Sequence, residues 1–302
     1  MKSVQILLST YNGEKYLVEL LESLLNQKGV DIKISVRDDG STDTTPEILK
    51  RYSKAGKLEY FVGENVGYQE SFLKIAEYCK DKSDYYAFCD QDDVWEPEKM
   101  INAVEKLEEI NPGEYKLYFS NLKVTDENLN QIGLKDYSRQ NVSLGCTLVR
   151  SNVSGTTMVF NNSLLRLAVK SSNSKVRIGH DAWIYMLCLS VGGTIVFDPN
   201  SYIKYRQHGN NVTGVKQGIR KRLSRELKIF TSKKNFVSKT AETIYKEHYN
   251  LILKENLTLL YEASTYKNSF KKTVKFMFNK DMKFGVPVID MLNKIEILLR
   301  CY

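Results

Sequence analysis

Three observations predict an α/β fold, with a mostly parallel sheet flanked by helices and a helical C-terminal appendage. Four apolar runs of strand length alternate with helix-period segments through residues 1–110. Each run stops at a polar loop containing Gly, Asn or Asp. Beyond residue 216 turn signals thin out, and Lys, Tyr, Leu and Phe dominate.

Residues 4–8 form the first apolar run, which gives way to Ser9-Thr10-Tyr11-Asn12-Gly13. Leu17, Leu20, Leu21, Leu24 and Leu25 then recur at three- and four-residue spacing, marking a helix with one apolar face. Residues 32–36 alternate as a second strand and end in Arg37-Asp38-Asp39-Gly40-Ser41-Thr42-Asp43. Thr45 as cap and Pro46 in the first turn open the next helix. Residues 58–62 give a third strand, residues 63–67 a loop, and residues 69–80 a helix. Residues 85–89 give a fourth strand, closed by Asp90-Gln91-Asp92-Asp93. Right-handed crossovers between parallel strands put the loops after Leu8, Val36 and Cys89 on one sheet edge, where open α/β sheets bind ligands. Pro97 starts a helix over Met100, Ile101, Val104, Leu107 and Ile110.

Past residue 111 the alternation weakens. Residues 115–120, 122–125, 157–160, 194–197 and 202–205 read as strands, with helices over 162–169 and 181–189. The expected organisation is an α/β domain over 1–215, divided at 110 into two halves, followed by a basic helical region over 216–302. Net charge divides along the same line. Residues 216–302 carry 19 Lys+Arg against 8 Asp+Glu, a balance of +11, leaving −3 for residues 1–215 of the chain total of +8. A nucleic-acid groove at the polar loops is therefore not expected; an anionic surface meeting the C-terminal region is. Ile219, Leu223, Leu227 and Phe230 line one side of a basic amphipathic segment there, with a dimerisation helix as the alternative reading. No secretory leader and no run of about 18 apolar residues is visible, so a cytoplasmic protein held peripherally at the inner membrane face is expected. Five cysteines without paired spacing fit reduced thiols.

The carboxylates at residues 90–93 need a counter-charge if they are partly buried, since two like charges about 4 Å apart repel by about 4 kcal/mol at an effective dielectric near 20. Mg²⁺ or Mn²⁺, which share coordination with substrate phosphates, suit such oxygen ligands.

Together, Ser9-Thr10-Tyr11-Asn12-Gly13, Asp38-Asp39-Gly40-Ser41-Thr42-Asp43, Asn65-Val66-Gly67 and Asp90-Gln91-Asp92-Asp93-Val94-Trp95 resemble the family 2 glycosyltransferases of the GT-A fold. The later Gly179-His180-Asp181 and Tyr205-Arg206-Gln207-His208-Gly209-Asn210-Asn211 resemble bacterial rhamnosyltransferase-type members. The resemblance implies an inverting transfer from a nucleotide sugar, dTDP-L-rhamnose by preference or a UDP-hexose, to a saccharide acceptor, expected to be lipid-linked, in cell-surface polysaccharide synthesis. It carries donor binding onto Thr10, Tyr11, Asn12, Asp38, Asp39, Asn65, Asp90 and Arg206, and metal binding onto Asp92 and His208. Asp181 matches the catalytic base, where family members often have Glu-Asp and this chain has His180-Asp181. Trp183, which could equally be core, and Thr156 are placed toward the acceptor. Asp90-x-Asp92-x-Val94 also fits a haloacid-dehalogenase-type phosphatase, except that it ends the fourth strand instead of the first. A non-catalytic carbohydrate- or membrane-binding module is the third reading.

Overall fold

The computed structural model describes residues 1–110, 113–151, 153–170, 178–208 and 236–301. The chain divides into two compact units. The first comprises the described parts of 1–139, 153–169 and 193–212, and the second those of 140–152, 170–192 and 213–302. The basic amphipathic segment around residues 216–234 lies outside the described residues.

In the first unit the strands are β1 (Ser3–Thr10), β2 (Asp31–Asp38), β3 (Glu59–Val62), β4 (Tyr85–Cys89), β5 (Val94–Trp95), β6 (Lys116–Thr125), β7 (Gln131–Lys135), β8 (Val159–Asn161) and β9 (Thr194–Arg206). Its helices are α1 (Glu14–Leu25), α2 (Thr45–Lys54), α3 (Tyr68–Cys79) and α4 (Lys99–Glu108). The strands form one sheet in the order β3-β2-β1-β4-β8-β6-β9-β5, with β7 on β6. β3, β2, β1 and β4 pair in parallel, as the strand–helix alternation requires. Leu17, Leu20, Leu21 and Leu24 of α1 are fully buried among the strand side chains Val4, Ile6, Leu8, Ala87 and Cys89. Each such leucine contributes about 2 kcal/mol.

Beyond β4 the sheet turns mixed: β8 runs antiparallel to β4 and β6, β9 runs parallel to β6, and β5 runs antiparallel to β9. Residues 115–125, expected as two strands, make one, and so do residues 194–206. The break seen in the sequence is a register shift around Asn121 opposite Pro199, not a chain reversal. Pro199 lacks an N–H, which a bulge tolerates. The Asn121 amide fills the gap, donating to the Pro199 carbonyl at 2.8 Å and accepting from Tyr137 N at 2.7 Å.

Thr45 is also placed differently from the expectation. It lies inside α2, and the oxygen facing its N–H belongs to Asp43, at 3.0 Å. The Thr45 hydroxyl instead accepts from Gly13 N at 2.8 Å, tying α2 to the loop after β1.

The remaining described helices are α5 (Leu144–Val149) of the second unit, α6 (Asn162–Lys170), all but its last residue in the first unit, and α7 (His180–Ser190), α8 (Phe236–Glu247), α9 (Lys254–Thr265), α10 (Phe270–Met277) and α11 (Pro287–Leu298) of the second. Ser143 caps α5 by accepting from Cys146 N. The end of α7 carries the start of α9: Leu253 N donates to the Ser190 carbonyl at 2.9 Å, and Asn256 Nδ2 donates to Leu189 O at 3.0 Å. All five cysteines are free thiols, four of them buried.

Candidate active site

Parallel register aligns Thr10 with Asp38 and Leu8 with Cys89, so the loops after β1, β2 and β4 leave the sheet side by side. Their side chains bind the loops to one another. Asp38, fully buried, accepts from the Thr10 hydroxyl at 2.8 Å, from Ser41 N at 2.9 Å and from the Ser41 hydroxyl at 2.6 Å. Asn12 holds a left-handed backbone conformation, φ 48°, that asparagine tolerates better than most residues. Its N–H donates to Ser41 Oγ and its Oδ1 accepts from Thr42 N at 2.8 Å. Asp39 forms a buried ion pair with Arg37 and accepts from Val66 N at 3.0 Å and Gly67 N at 2.9 Å, which fixes the third loop. Asn65 Oδ1 accepts from the same Gly67 N at 3.2 Å. Tyr11 projects from this edge, 46% exposed.

The turn after β4 is held from two sides. The Gln91 amide grips the first loop, accepting from Tyr11 N at 2.8 Å and donating to Tyr11 O at 3.0 Å. A Cβ at Gly13 would meet Gln91 Oε1 at 2.5 Å, so this close approach uses the missing side chain. On the other side β5 pairs with β9 and delivers Arg206 and His208 to the turn. Arg206 donates through Nε to the Asp92 carbonyl at 2.9 Å and through its backbone N–H to Asp93 at 3.3 Å. The rest of its guanidinium pairs with Glu19, donates to the Glu127 carbonyl and lies 4.5 Å from the Tyr16 ring centre.

The three carboxylates of the turn therefore differ. Asp93 is fully buried and accepts from the Thr156 hydroxyl at 2.9 Å; burial first, then Asp92 and Asp90, push its pKa well above the carboxylate range. Asp90 is partly exposed. Asp92, with 16% of its side chain exposed, stands 2.8 Å from Nε2 of His208, whose ring stacks beside Tyr16.

Asp92 and His208 offer one carboxylate and one imidazole within the span of a single ion. Among the described residues no group of three or more His, Cys, Asp or Glu side chains could hold a metal. A two-residue donor set fits Mg²⁺ or Mn²⁺, which take further oxygens from phosphate and water.

Residues 5–164 match the family model described as "Glycosyl transferase family 2". The chain belongs to that family. Among curated relatives of this family 2 glycosyltransferase, the dTDP-rhamnosyl transferase RfbG of Shigella flexneri is 29% identical over 218 residues, covering 68% of this chain and 73% of that protein. An uncharacterized glycosyltransferase of Haemophilus influenzae is 26% identical over 322 residues, covering 98% and 95%. Two solved structures share the GT-A fold. S. aureus TarS in complex with UDP matches at TM-score 0.51 and 16% identity, covering 99% of this chain and 90% of that one. GalNAc-T7 with UDP, GalNAc and Mn²⁺ matches at 0.60 and 14%, covering 85% and 56%.

The remaining candidates of the family 2 enzyme separate by unit. Thr10, Tyr11, Asn12, Asp38, Asp39, Asn65, Asp90, Asp92, Thr156, Arg206 and His208 lie in the first unit, and Asp181 and Trp183 in the second. Thr156, 1% exposed, acts on Asp93. Asp181 stands in the first turn of α7 and accepts from Ala182 N at 2.7 Å. Trp183 is 1% exposed and belongs to the apolar side of the helix. His180 is buried, and burial pushes its pKa down to about 4, so it is neutral. Sequence reasoning missed Gln91, Arg37, Tyr16 and Lys99. Gln91, the one amide inside the carboxylate run, carried a readable signal; Tyr16 meets Arg206 and His208, remote in sequence, whereas Arg37 pairs with Asp39 two residues on and Lys99 lies over Trp95.

Proposed function

We propose that the chain is an inverting, metal-dependent glycosyltransferase that moves a sugar from a nucleotide-sugar donor to a hydroxyl of a saccharide acceptor in cell-surface polysaccharide synthesis. The observation that carries this reading is the Asp92–His208 pair, 2.8 Å apart, at the sheet edge where the Thr10–Asp38 and Asp39–Gly67 loops converge. The favoured donor is dTDP-L-rhamnose, on the similarity to the rhamnosyl transferase. A UDP-hexose is the second reading, favoured by the UDP bound to the TarS neighbour.

In this reading the first loop and the Asp38–Ser41 turn shape the nucleoside pocket, with Tyr11 packing on the base and Asn12, Asn65 and Asp90 near the donor. Asp38 and Asp39 act by holding the loops that present backbone N–H groups. Asp92 and His208 would bind Mn²⁺ or Mg²⁺, which neutralises charge on the departing nucleoside diphosphate. Arg206 acts on the donor through the turn it braces. Asp181 is the base that accepts the proton of the attacking hydroxyl. The acceptor is carried by lipid at an anionic membrane surface.

The test is transfer from a panel of nucleotide sugars with Mn²⁺ or Mg²⁺, alongside thermal shift with each donor. Asp92→Asn and His208→Ala are expected to lose metal-dependent stabilisation by nucleoside diphosphate, and Asp181→Asn to lose transfer while keeping donor binding. No transfer or donor hydrolysis with any donor and metal would overturn the reading.

A further inference from the structure

Helix α11 buries only Asn293 and Ile297. The opposite side carries Val288 at 61%, Met291 at 55%, Ile295 at 39% and Leu298 at 45% exposure, at three- and four-residue spacing, and Leu299 at 55% follows on the same stripe. Phe278, 67% exposed, joins the stripe: its ring centre lies 5.7 Å from Nζ of Lys294, which borders the helix face. Large apolar side chains seldom protrude together from a protein that meets only water.

The segment that carries the stripe is predominantly basic. Residues 270–301 carry seven Lys+Arg, namely Lys271, Lys272, Lys275, Lys280, Lys283, Lys294 and Arg300, against Asp281, Asp290 and Glu296, a balance of +4. Of the three acids, Asp290 is taken up by the backbone N–H groups of Phe284 and Gly285. A protein interface is depleted in lysine at its core. Apolar knobs bordered by Lys294, on a segment of net charge +4, suit an anionic bilayer, where the knobs enter the acyl boundary and the ammonium groups stay at the phosphates. Among the described residues no helix is long and apolar enough to cross a membrane.

We propose that the Val288–Met291–Ile295–Leu298 face of α11, with Phe278 beside it, is a docking surface for an anionic phospholipid bilayer. The proposal deepens the reading of a lipid-borne acceptor and rests on it for its biological use. Its physical basis, the exposed stripe and the basic rim, is independent of the donor chemistry.

The experiment is sedimentation of the full chain with unilamellar vesicles of phosphatidylglycerol and phosphatidylcholine in equal parts, and with phosphatidylcholine alone. Binding to the anionic vesicles is expected, falling at least tenfold for Val288→Glu/Met291→Glu and for Lys280→Glu/Lys283→Glu, and persisting for Met291→Leu. The substituted residues are exposed, and unchanged far-ultraviolet circular dichroism verifies that the variants fold. Binding by either double variant equal to that of the unsubstituted protein, equal affinity for neutral vesicles, or a dimer in light scattering that Met291→Glu dissolves would overturn the proposal. Donor hydrolysis in solution is measured in parallel. Its loss in the unsubstituted protein would count against the transferase reading alone, and its retention beside failed vesicle binding against the docking surface alone.

Discussion

Replacing Lys99 with methionine removes a buried ammonium whose cost depends on pH. Lys99 opens α4 with none of its surface exposed; its Nζ has no hydrogen-bond partner among the described residues and lies 3.5 Å from the Trp95 ring centre. Burial pushes its pKa down from 10.5 to about 7, against the pull of Cys89 and Asp93. The unfolded chain keeps the ordinary value. Below pH 7 both states hold the proton and the native state bears the whole penalty; between 7 and 10.5 the unfolded state binds more protons, so stability rises with pH. The span from 10.5 to about 7, at 1.36 kcal/mol per pH unit, is about 5 kcal/mol, of which about 3 falls between pH 7 and 9. Asp93, whose pKa burial raises, contributes the opposite slope, and burial likewise raises the Cys89 thiol. The comparison is therefore Asp93→Asn against Asp93→Asn/Lys99→Met, by urea unfolding at pH 6, 7, 8 and 9. The double variant should be the more stable at pH 6, with its advantage shrinking by about 3 kcal/mol from pH 7 to 9. An advantage constant over that range would refute the reasoning.

Two further outcomes follow from the packing. Arg37→Met leaves Asp39 buried without its ion-pair partner, and should cost about 3–5 kcal/mol in denaturant unfolding. It should also weaken nucleotide binding in calorimetry, because Asp39 holds Val66 and Gly67. Gly145→Ala drives a methyl into the backbone carbonyl oxygen of Asp281, which cannot swing away as a side chain could. A loss of about 1–3 kcal/mol or more, with a lowered Tm, is expected.

The half of the fold that positions the nucleotide loops was legible because its rules are local. Four apolar runs, each followed by a leucine- or isoleucine-spaced helix, dictate parallel strands and a common edge. The other half was not, because its geometry depends on partners far along the chain. The bulge at Asn121 is filled by contacts with Tyr137 and Pro199, and the same interruption reads in sequence as a strand end. Short β5 exists only because β9 pairs with it. In the site, the residue types were visible but their division of labour was not. Asp90, Asp92 and Asp93 look alike in the sequence, and what separates them is Thr156, 63 residues away, Arg206, 113 residues from Asp93, and His208, 116 residues from Asp92.

That division explains how three carboxylates can crowd one turn. Three ionised carboxylates would repel strongly at low effective dielectric. Burial and the neighbouring carboxylates raise the pKa of Asp93, which favours its neutral form, and Asp92 lies 2.8 Å from Nε2 of His208. The Arg206 guanidinium, braced by Glu19 and Tyr16, binds the carbonyl of Asp92, while Thr156 and the Arg206 backbone N–H hold Asp93, so the turn is fixed through its backbone and its third aspartate by residues that arrive from β9 and from the segment before β8.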